Sequence, residues 1–155
     1  MDLSTREDID APRDWVWSRI TDHASFEKIA LRRGAEVQRQ DQGRGFDEGA
    51  VWVVDFRFRG RDRQVEARLA EVTAPESWTA NLSSAGLDGV MSIELVEMSR
   101  TRTRMIVNTR LSARTLSARL MLQSFKLARS GILKRFRERV ALFAADLEER
   151  YRARS

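Results

Sequence analysis

Residues 50–58 read Ala-Val-Trp-Val-Val-Asp-Phe-Arg-Phe. Trp52, Val54, Phe56 and Phe58 occupy alternate positions in this stretch. Because successive side chains of a β-strand point to opposite faces of the sheet, these four residues should share one face. The stretch therefore predicts a strand with one strongly apolar face.

The same period of two continues on both sides of this strand. Gly60 predicts a tight hairpin into a strand that ends before Pro75, and glycine and proline divide residues 35–111 into about six strands. Since the loops between them are short, we expect an antiparallel meander. The apolar faces of these later strands are formed by Val65, Ala67 and Leu69, by Trp78, Ala80 and Leu82, by Met91, Ile93 and Leu95, and by Met105, Val107, Thr109 and Leu111.

Beyond residue 112 the apolar period becomes helical and predicts one long amphipathic helix. Its stripe includes Met121, Phe125, Ala128, Ile132 and Phe136. Glycine inside a helix costs about 1 kcal/mol relative to alanine. We therefore expect Gly131 to mark a bend or a place of close packing.

The N-terminal segment predicts a short strand followed by two short helices. Pro12 stands where a first helix would begin, and Val16 and Ile20 would form its buried stripe. Asp22 is suited to cap a second helix that ends before Gly34.

The composition is that of one globular domain spanning residues 1–155, with 42% hydrophobic and 33% charged residues. No run approaches the ~20 apolar residues that span a bilayer, and the first ten residues carry charges instead of an apolar signal core, so we expect a cytoplasmic protein. The net charge is +5, and nearly all of the basic residues are arginines. The aromatic residues follow the pattern of the core and do not alternate with these arginines. This arrangement disfavours nucleic-acid binding.

Few residues in the chain suit catalysis or metal binding. There is no cysteine, and His23 is the only histidine, so we expect no metal and no cofactor. Asp22 could orient His23, but helix capping explains this aspartate better. Without a Gly-x-Ser-x-Gly elbow or paired inward carboxylates, we assign no catalytic residue.

Several short motifs resemble the START/Bet v 1-like superfamily, and in particular its polyketide cyclase/dehydrase-like branch. They are the opening Ile-Asp-Ala-Pro-Arg-Asp-Trp-Val-Trp at residues 9–17, the Ile-Thr-Asp at residues 20–22, Gly49 before a strand, and Pro75 followed by Trp78. The resemblance implies an α+β helix-grip fold, in which a curved seven-stranded antiparallel sheet wraps around the long C-terminal helix. It also implies a cavity between sheet and helix for a lipid, polyketide, quinone or similar apolar molecule.

Several of the residues expected to line this cavity are large, so they either contact a ligand or fill the space as core. The two interpretations stay open for Trp52, Val54, Phe56, Trp78, Met91, Ile93, Met105, Val107, Thr109, Met121, Phe125, Ala128 and Ile132. A glycine-rich segment with Gly43, Gly45 and Phe46 is expected to form a loop at the cavity mouth.

Three functions are compatible with this sequence. The first is binding of a hydrophobic small molecule in the cavity. The second is a cyclase- or dehydratase-like enzyme for an aromatic polyketide, for which the polar candidates are Thr109, Asn81, Glu71 and Glu94. The third is a lipid or quinone chaperone that docks on an anionic membrane through the basic C-terminal helix. The sequence does not indicate an oligomeric state.

Overall fold

The computed structural model describes residues 1–32, 34–40 and 45–154, with Ile29 described by its backbone alone. Seven strands and four helices follow one another along the chain. They are β1 (Asp2–Ile9), α1 (Arg13–Ile20), α2 (His23–Arg32), β2 (Glu36–Arg39), β3 (Val51–Phe58), β4 (Arg61–Thr73), β5 (Ser77–Ser84), β6 (Leu87–Ser99), β7 (Arg102–Ala113), α3 (Leu116–Leu127) and α4 (Arg129–Ala153).

The strands form one antiparallel sheet in the order β1-β7-β6-β5-β4-β3-β2. Strands β2 to β7 make the predicted meander, and β1 joins its far edge by pairing with β7. The two short helices lie between β1 and β2 in the chain. The predicted helix-grip fold is thus confirmed, including the strand that precedes the helices.

The pairing register confirms which residues share the concave face. Trp52 of β3 lies opposite Ala67 of β4, and Ala67 lies opposite Leu82 of β5. A bulge between Leu69 and Glu71 then reverses the alternation in β4. Val72, two residues beyond the bulge, therefore pairs with Trp78 and packs against the core.

The core lies between the concave face, α1 and the C-terminal half of α4. Its buried side chains include Ile9, Val16, Ile20, Leu69, Trp78, Ile93, Leu95, Met105, Val107, Ala144 and Leu147. Burying each of the larger aliphatic side chains stabilises the fold by about 1.5–3 kcal/mol. In the part of the chain that the structure describes, no helix is both long and apolar enough to cross a bilayer.

The predicted single C-terminal helix is two helices, and the predicted bend at Gly131 is wrong. The helix breaks at Ala128, where φ is −99° and ψ is 15°, and the amide of Ala128 donates to the carbonyls of Ser124 and Phe125. Gly131 lies in the first turn of α4, and a Cβ added there would meet nothing within 4 Å. The break arises because α3 packs on β6 and β7 whereas α4 packs on β1.

An ion pair between neighbouring strands predicts a loss of stability in acid. Arg104 donates to both carboxylate oxygens of Asp8 at 2.8 and 3.3 Å, and these hydrogen bonds, aided by the charges of Arg104 and Arg102, lower the pKa of Asp8 below its usual 3.8. The ion pair of Asp8 with Arg104 therefore stabilises the fold above about pH 4, and this stabilisation is lost as the pH falls through the folded-state pKa of Asp8.

We expect Asp8→Asn to lower the free energy of unfolding by up to about 1 kcal/mol near neutral pH, because the pair is partly exposed. Urea unfolding of both proteins should show this difference shrinking toward about pH 3. Asp146→Asn, which removes an exposed ion pair within α4, is the matched control. A difference between Asp8→Asn and the parent that is independent of pH would contradict the prediction.

Candidate functional site

A cavity of about 410 Å³ lies between α3 and the sheet, at the end where the hairpins β3–β4 and β5–β6 turn. This volume falls in the range of roughly 300–1,000 Å³ that is usual for small-molecule pockets. The wall is mainly apolar, with arginine and serine as its polar groups. It is formed by Phe56, Phe58, Arg61, Arg63, Val65, Ser84, Ala85, Leu87, Ser117, Ala118, Met121 and Phe125.

Helix α3 forms the roof of this cavity and is fixed at its N-terminus. Thr115 caps the helix, since its Oγ1 accepts a hydrogen bond from the amide of Ala118 at 3.2 Å. The β5–β6 turn lies against this cap: a Cβ at Gly86 would come within 2.5 Å of the same Oγ1. The carbonyl of Gly86 also accepts from the amide of Arg114 at 2.8 Å. The hairpin turn therefore sets the position of the roof.

Aromatic side chains fill another part of the concavity. The ring of Phe46 lies 5.7 Å from the rings of both Trp52 and Trp78. The guanidinium of Arg39 covers the outer side of Trp52 at 5.2 Å and donates to the carbonyl of Gly45. The glycine-rich loop thus places Phe46 among core residues, whereas Gly43 lies outside the described residues.

The predicted cavity residues divide between the open cavity and the filled core. Phe56, Met121 and Phe125 line the cavity. The remaining inner-face residues pack as core or lie half-buried beside it, namely Trp52, Val54, Trp78, Met91, Ile93, Met105, Val107, Thr109 and Ile132. Ala128 is exposed at the helix break, so its predicted place in the apolar stripe is wrong. The predicted stripe required one continuous helix, and the break at Ala128 changes which residues share a face on its two sides.

Two charged residues of the cavity wall were not among the residues predicted from the sequence. Arg61 and Arg63 lie opposite Phe58 and Phe56 in the β3–β4 register, and all four line the cavity. Alternation counted backward from Val65 would have placed both arginines on the inner face. Arginine is rarely buried, so an inward position was not expected for them. Near the cavity mouth, the guanidinium groups can stay in contact with water.

Aromatic rings and arginines meet at the mouth of the cavity. The rings of Phe58 and Phe125 lie edge to face at 6.2 Å, and the guanidinium of Arg59 is 5.4 and 5.3 Å from them. Arg59 also donates to Ser124 Oγ of α3 at 3.3 Å. Arg63 lies 5.6 Å from Phe58 and donates through Nε to its carbonyl at 3.2 Å. These contacts join the β3–β4 hairpin to the roof helix.

The polar candidates for catalysis do not converge. Thr109 is half-buried on the inner face, opposite Leu3 and Met91. Asn81, Glu71 and Glu94 are exposed on the other face of the sheet. General acid–base chemistry needs its groups within hydrogen-bond reach of one reacting centre. These four residues therefore do not form such a centre.

The aspartate beside His23 has a structural role. Ser25 donates to Asp22 Oδ2 at 2.9 Å, and this hydrogen bond, with the backbone amides of Ser25 and Ala24, lowers the pKa of Asp22. The carboxylate therefore satisfies the start of α2, as the capping interpretation predicts.

Comparison with known proteins supports the fold at low sequence identity. The chain matches no protein-family profile and no curated protein. The Zhui aromatase/cyclase of a Streptomyces species is similar in structure, with a TM-score of 0.69 at 15% identity over 99% of this chain and 96% of that one. A protein from Arthrobacter aurescens gives 0.66 at 17% identity over 96% and 86%. A START superfamily protein from Mycobacterium smegmatis gives 0.55 at 12% over 86% and 95%. The chain therefore shares the helix-grip fold of these solved structures.

Proposed function

We propose that this protein binds a hydrophobic small molecule in the cavity beneath α3. The observation that carries the proposal is the partly enclosed space of about 410 Å³ with a mainly apolar wall, next to a part of the concavity that Phe46, Trp52 and Trp78 occupy. Burying an apolar ligand there removes its surface from water, which stabilises the complex by about 25 cal/mol per Å² of apolar area before the costs of association.

The wall also provides adaptable contacts to such a ligand. Met121 and Phe125 come from the roof, and Phe56, Val65 and Leu87 come from the sheet. A methionine thioether adjusts to irregular shapes, while the aromatic rings give flat contact surfaces. This combination suits a flexible or aromatic apolar body, as the resemblance to lipid- and polyketide-binding proteins also suggests.

Filling the cavity from the roof tests the proposal. We expect Met121→Trp to weaken binding of the uncharged fluorophore N-phenyl-1-naphthylamine by about tenfold or more, equivalent to about 1.4 kcal/mol. Gln123→Trp adds the same side chain to the exposed side of α3 and should leave the affinity unchanged. Fluorescence titration gives both dissociation constants. Equal affinities in the two variants, or no saturable binding by the parent, would contradict the proposal.

A second candidate function, docking on an anionic membrane, is favoured by the outer face of α3. Leu116, Leu120 and Leu127 are 72%, 65% and 92% exposed. At 100° per residue these three lie within about 40° of one another, so they form one apolar stripe. Basic residues flank the stripe and the start of the next helix, namely Arg119, Lys126, Arg129, Lys134 and Arg137.

The charge around the stripe indicates which surface would cover it. A second copy of this chain would bring the same positive groups together, whereas anionic lipid attracts them with about 1 kcal/mol for each residue near the surface. The leucines would then enter the headgroup region beside the roof of the cavity. We therefore propose an anionic bilayer as the occupant.

Vesicle flotation tests the docking surface. The parent should float with vesicles of phosphatidylcholine and phosphatidylserine but not with phosphatidylcholine alone, and high salt should release it. We expect Leu120→Ser combined with Leu127→Ser to reduce the floated fraction several-fold. Leu142→Ser, at an equally exposed leucine of α4, should not. If the floated fraction is the same without phosphatidylserine, or the same in the double leucine variant as in the parent, this surface is not the docking site.

A further inference from the structure

The charged groups in the cavity wall are both cationic. Arg61 and Arg63 lie two residues apart on β4 and face the cavity, and its described lining contains no acidic residue. Asp62, which lies between them in the chain, points to the other face and pairs with Arg57 at 3.5 Å. No described residue of the wall therefore compensates the positive charge at this end of the cavity.

Both arginines retain donors for a ligand. Arg63 uses its Nε for the carbonyl of Phe58, and its terminal nitrogens have no acceptor among the described residues. The side chain of Arg61 has neither a hydrogen bond nor an ion pair with any residue in the described ranges. A guanidinium presents its donors in a planar fork that matches a carboxylate or a phosphate. Since Arg63 is already held by Phe58, part of the site is preorganised.

We infer that the ligand of this cavity is an anionic amphiphile, whose carboxylate or phosphate binds Arg61 and Arg63 while its apolar body lies beneath α3. This inference rests on the proposed function and adds the chemical class of the ligand. The geometry places the two kinds of group in sequence: arginines at the β3–β4 end of the wall, then Val65, Leu87 and Met121 further along it. A neutral molecule of the same shape would leave the guanidinium donors to water alone.

Three ligands with one chain length separate charge from apolar contact. Dodecanoate and dodecyl phosphate would be titrated below their critical micelle concentrations, and 1-dodecanol below its solubility limit, each displacing N-phenyl-1-naphthylamine. The parent should bind at least one anion about tenfold or more tightly than the alcohol. The preference between dodecanoate and dodecyl phosphate then identifies the head group. Acetate and inorganic phosphate, which lack the chain, should displace no fluorophore.

The double variant Arg61→Gln and Arg63→Gln should lose the preference for the anion while keeping the affinity for 1-dodecanol. Its matched control, Arg68→Gln with Arg110→Gln, removes the same charge from the outer face of the sheet and should keep the preference. Circular dichroism and the urea midpoint verify that both variants fold.

The outcomes distinguish this inference from the proposed function. If the parent binds the anions and the alcohol equally well, or if the double variant keeps the preference, the inference is wrong although the cavity binds apolar ligands. A double variant that loses all three ligands alike would also overturn it, because the arginines would then shape the cavity without selecting charge. If the parent binds neither the fluorophore nor any of the three, the proposed function itself fails.

Discussion

Replacing Gly86 by alanine is expected to lower the free energy of unfolding by roughly 2–4 kcal/mol. Gly86 has a φ of +83°, which a residue with a Cβ adopts at a cost. The added Cβ would also lie 2.5 Å from Oγ1 and 2.7 Å from Cγ2 of Thr115, which is far closer than real contacts permit. The backbone strain and the steric overlap with Thr115 therefore both contribute to the loss of stability.

Two further variants separate these contributions. Gly60→Ala has the same backbone strain, with φ of +73°, but meets no atom within 4 Å, so it should cost only about 1 kcal/mol. Thr115→Ala removes the N-cap of α3 and should cost about 1 kcal/mol. In the Gly86→Ala background, however, it also removes both overlapping atoms, so the double variant should be more stable than the sum of the single losses. Urea unfolding of the parent, Gly86→Ala, Thr115→Ala and the double variant gives this coupling.

Gly86→Ala should also affect the ligand site. Thr115 begins the helix that supplies Ala118, Met121 and Phe125 to the cavity. Displacing this end of α3 would change the distance between roof and sheet, so Gly86→Ala should weaken binding of the uncharged fluorophore. Gly34→Ala, at a glycine with φ of +79° that meets no atom within 4 Å and does not line the cavity, should leave binding unchanged. Equal stability and binding in these two variants would show that the turn does not set the roof.

The sequence predicted the sheet well because its signal is local. The alternation around Trp52 and Phe56 follows from the geometry of a single strand. The strand ends at Gly60 and Pro75 follow from the backbone preferences of glycine and proline. The C-terminal break at Ala128 has no such signal. Alanine favours a helix, and the apolar spacing passes through residue 128 without interruption, so the break depends on the two surfaces against which α3 and α4 pack.

The division of the concavity into filled and open parts was also beyond the sequence. Trp52 and Phe56 lie on the same face of one strand, yet the first packs against Phe46 and the second lines the cavity. The difference between the two residues depends on the loop residue Phe46, whose position cannot be predicted from the alternation of a strand. The arginines of the wall, in contrast, had a local signal in the alternation of β4.

Phe46→Ala is expected to cost roughly 2 kcal/mol, which is less than the usual 3–5 for a buried phenylalanine. The ring is half-buried and contacts Trp52 and Trp78. Its removal also lets water reach the buried indole N–H of Trp78, which has no acceptor in the described part of the chain. The hydrogen bond that water then makes offsets part of the lost apolar contact.

Opening this part of the concavity should have a spectroscopic and a binding consequence. Tryptophan emission should shift to longer wavelength in Phe46→Ala, and larger apolar ligands should gain affinity relative to N-phenyl-1-naphthylamine because more of the concave face becomes accessible. Phe46→Leu keeps most of the apolar volume, so it should show neither change and should lose less stability. If the alanine variant is as stable as the parent and shows no emission shift, Phe46 does not fill the concavity, and the ligand space must extend as far as Trp78.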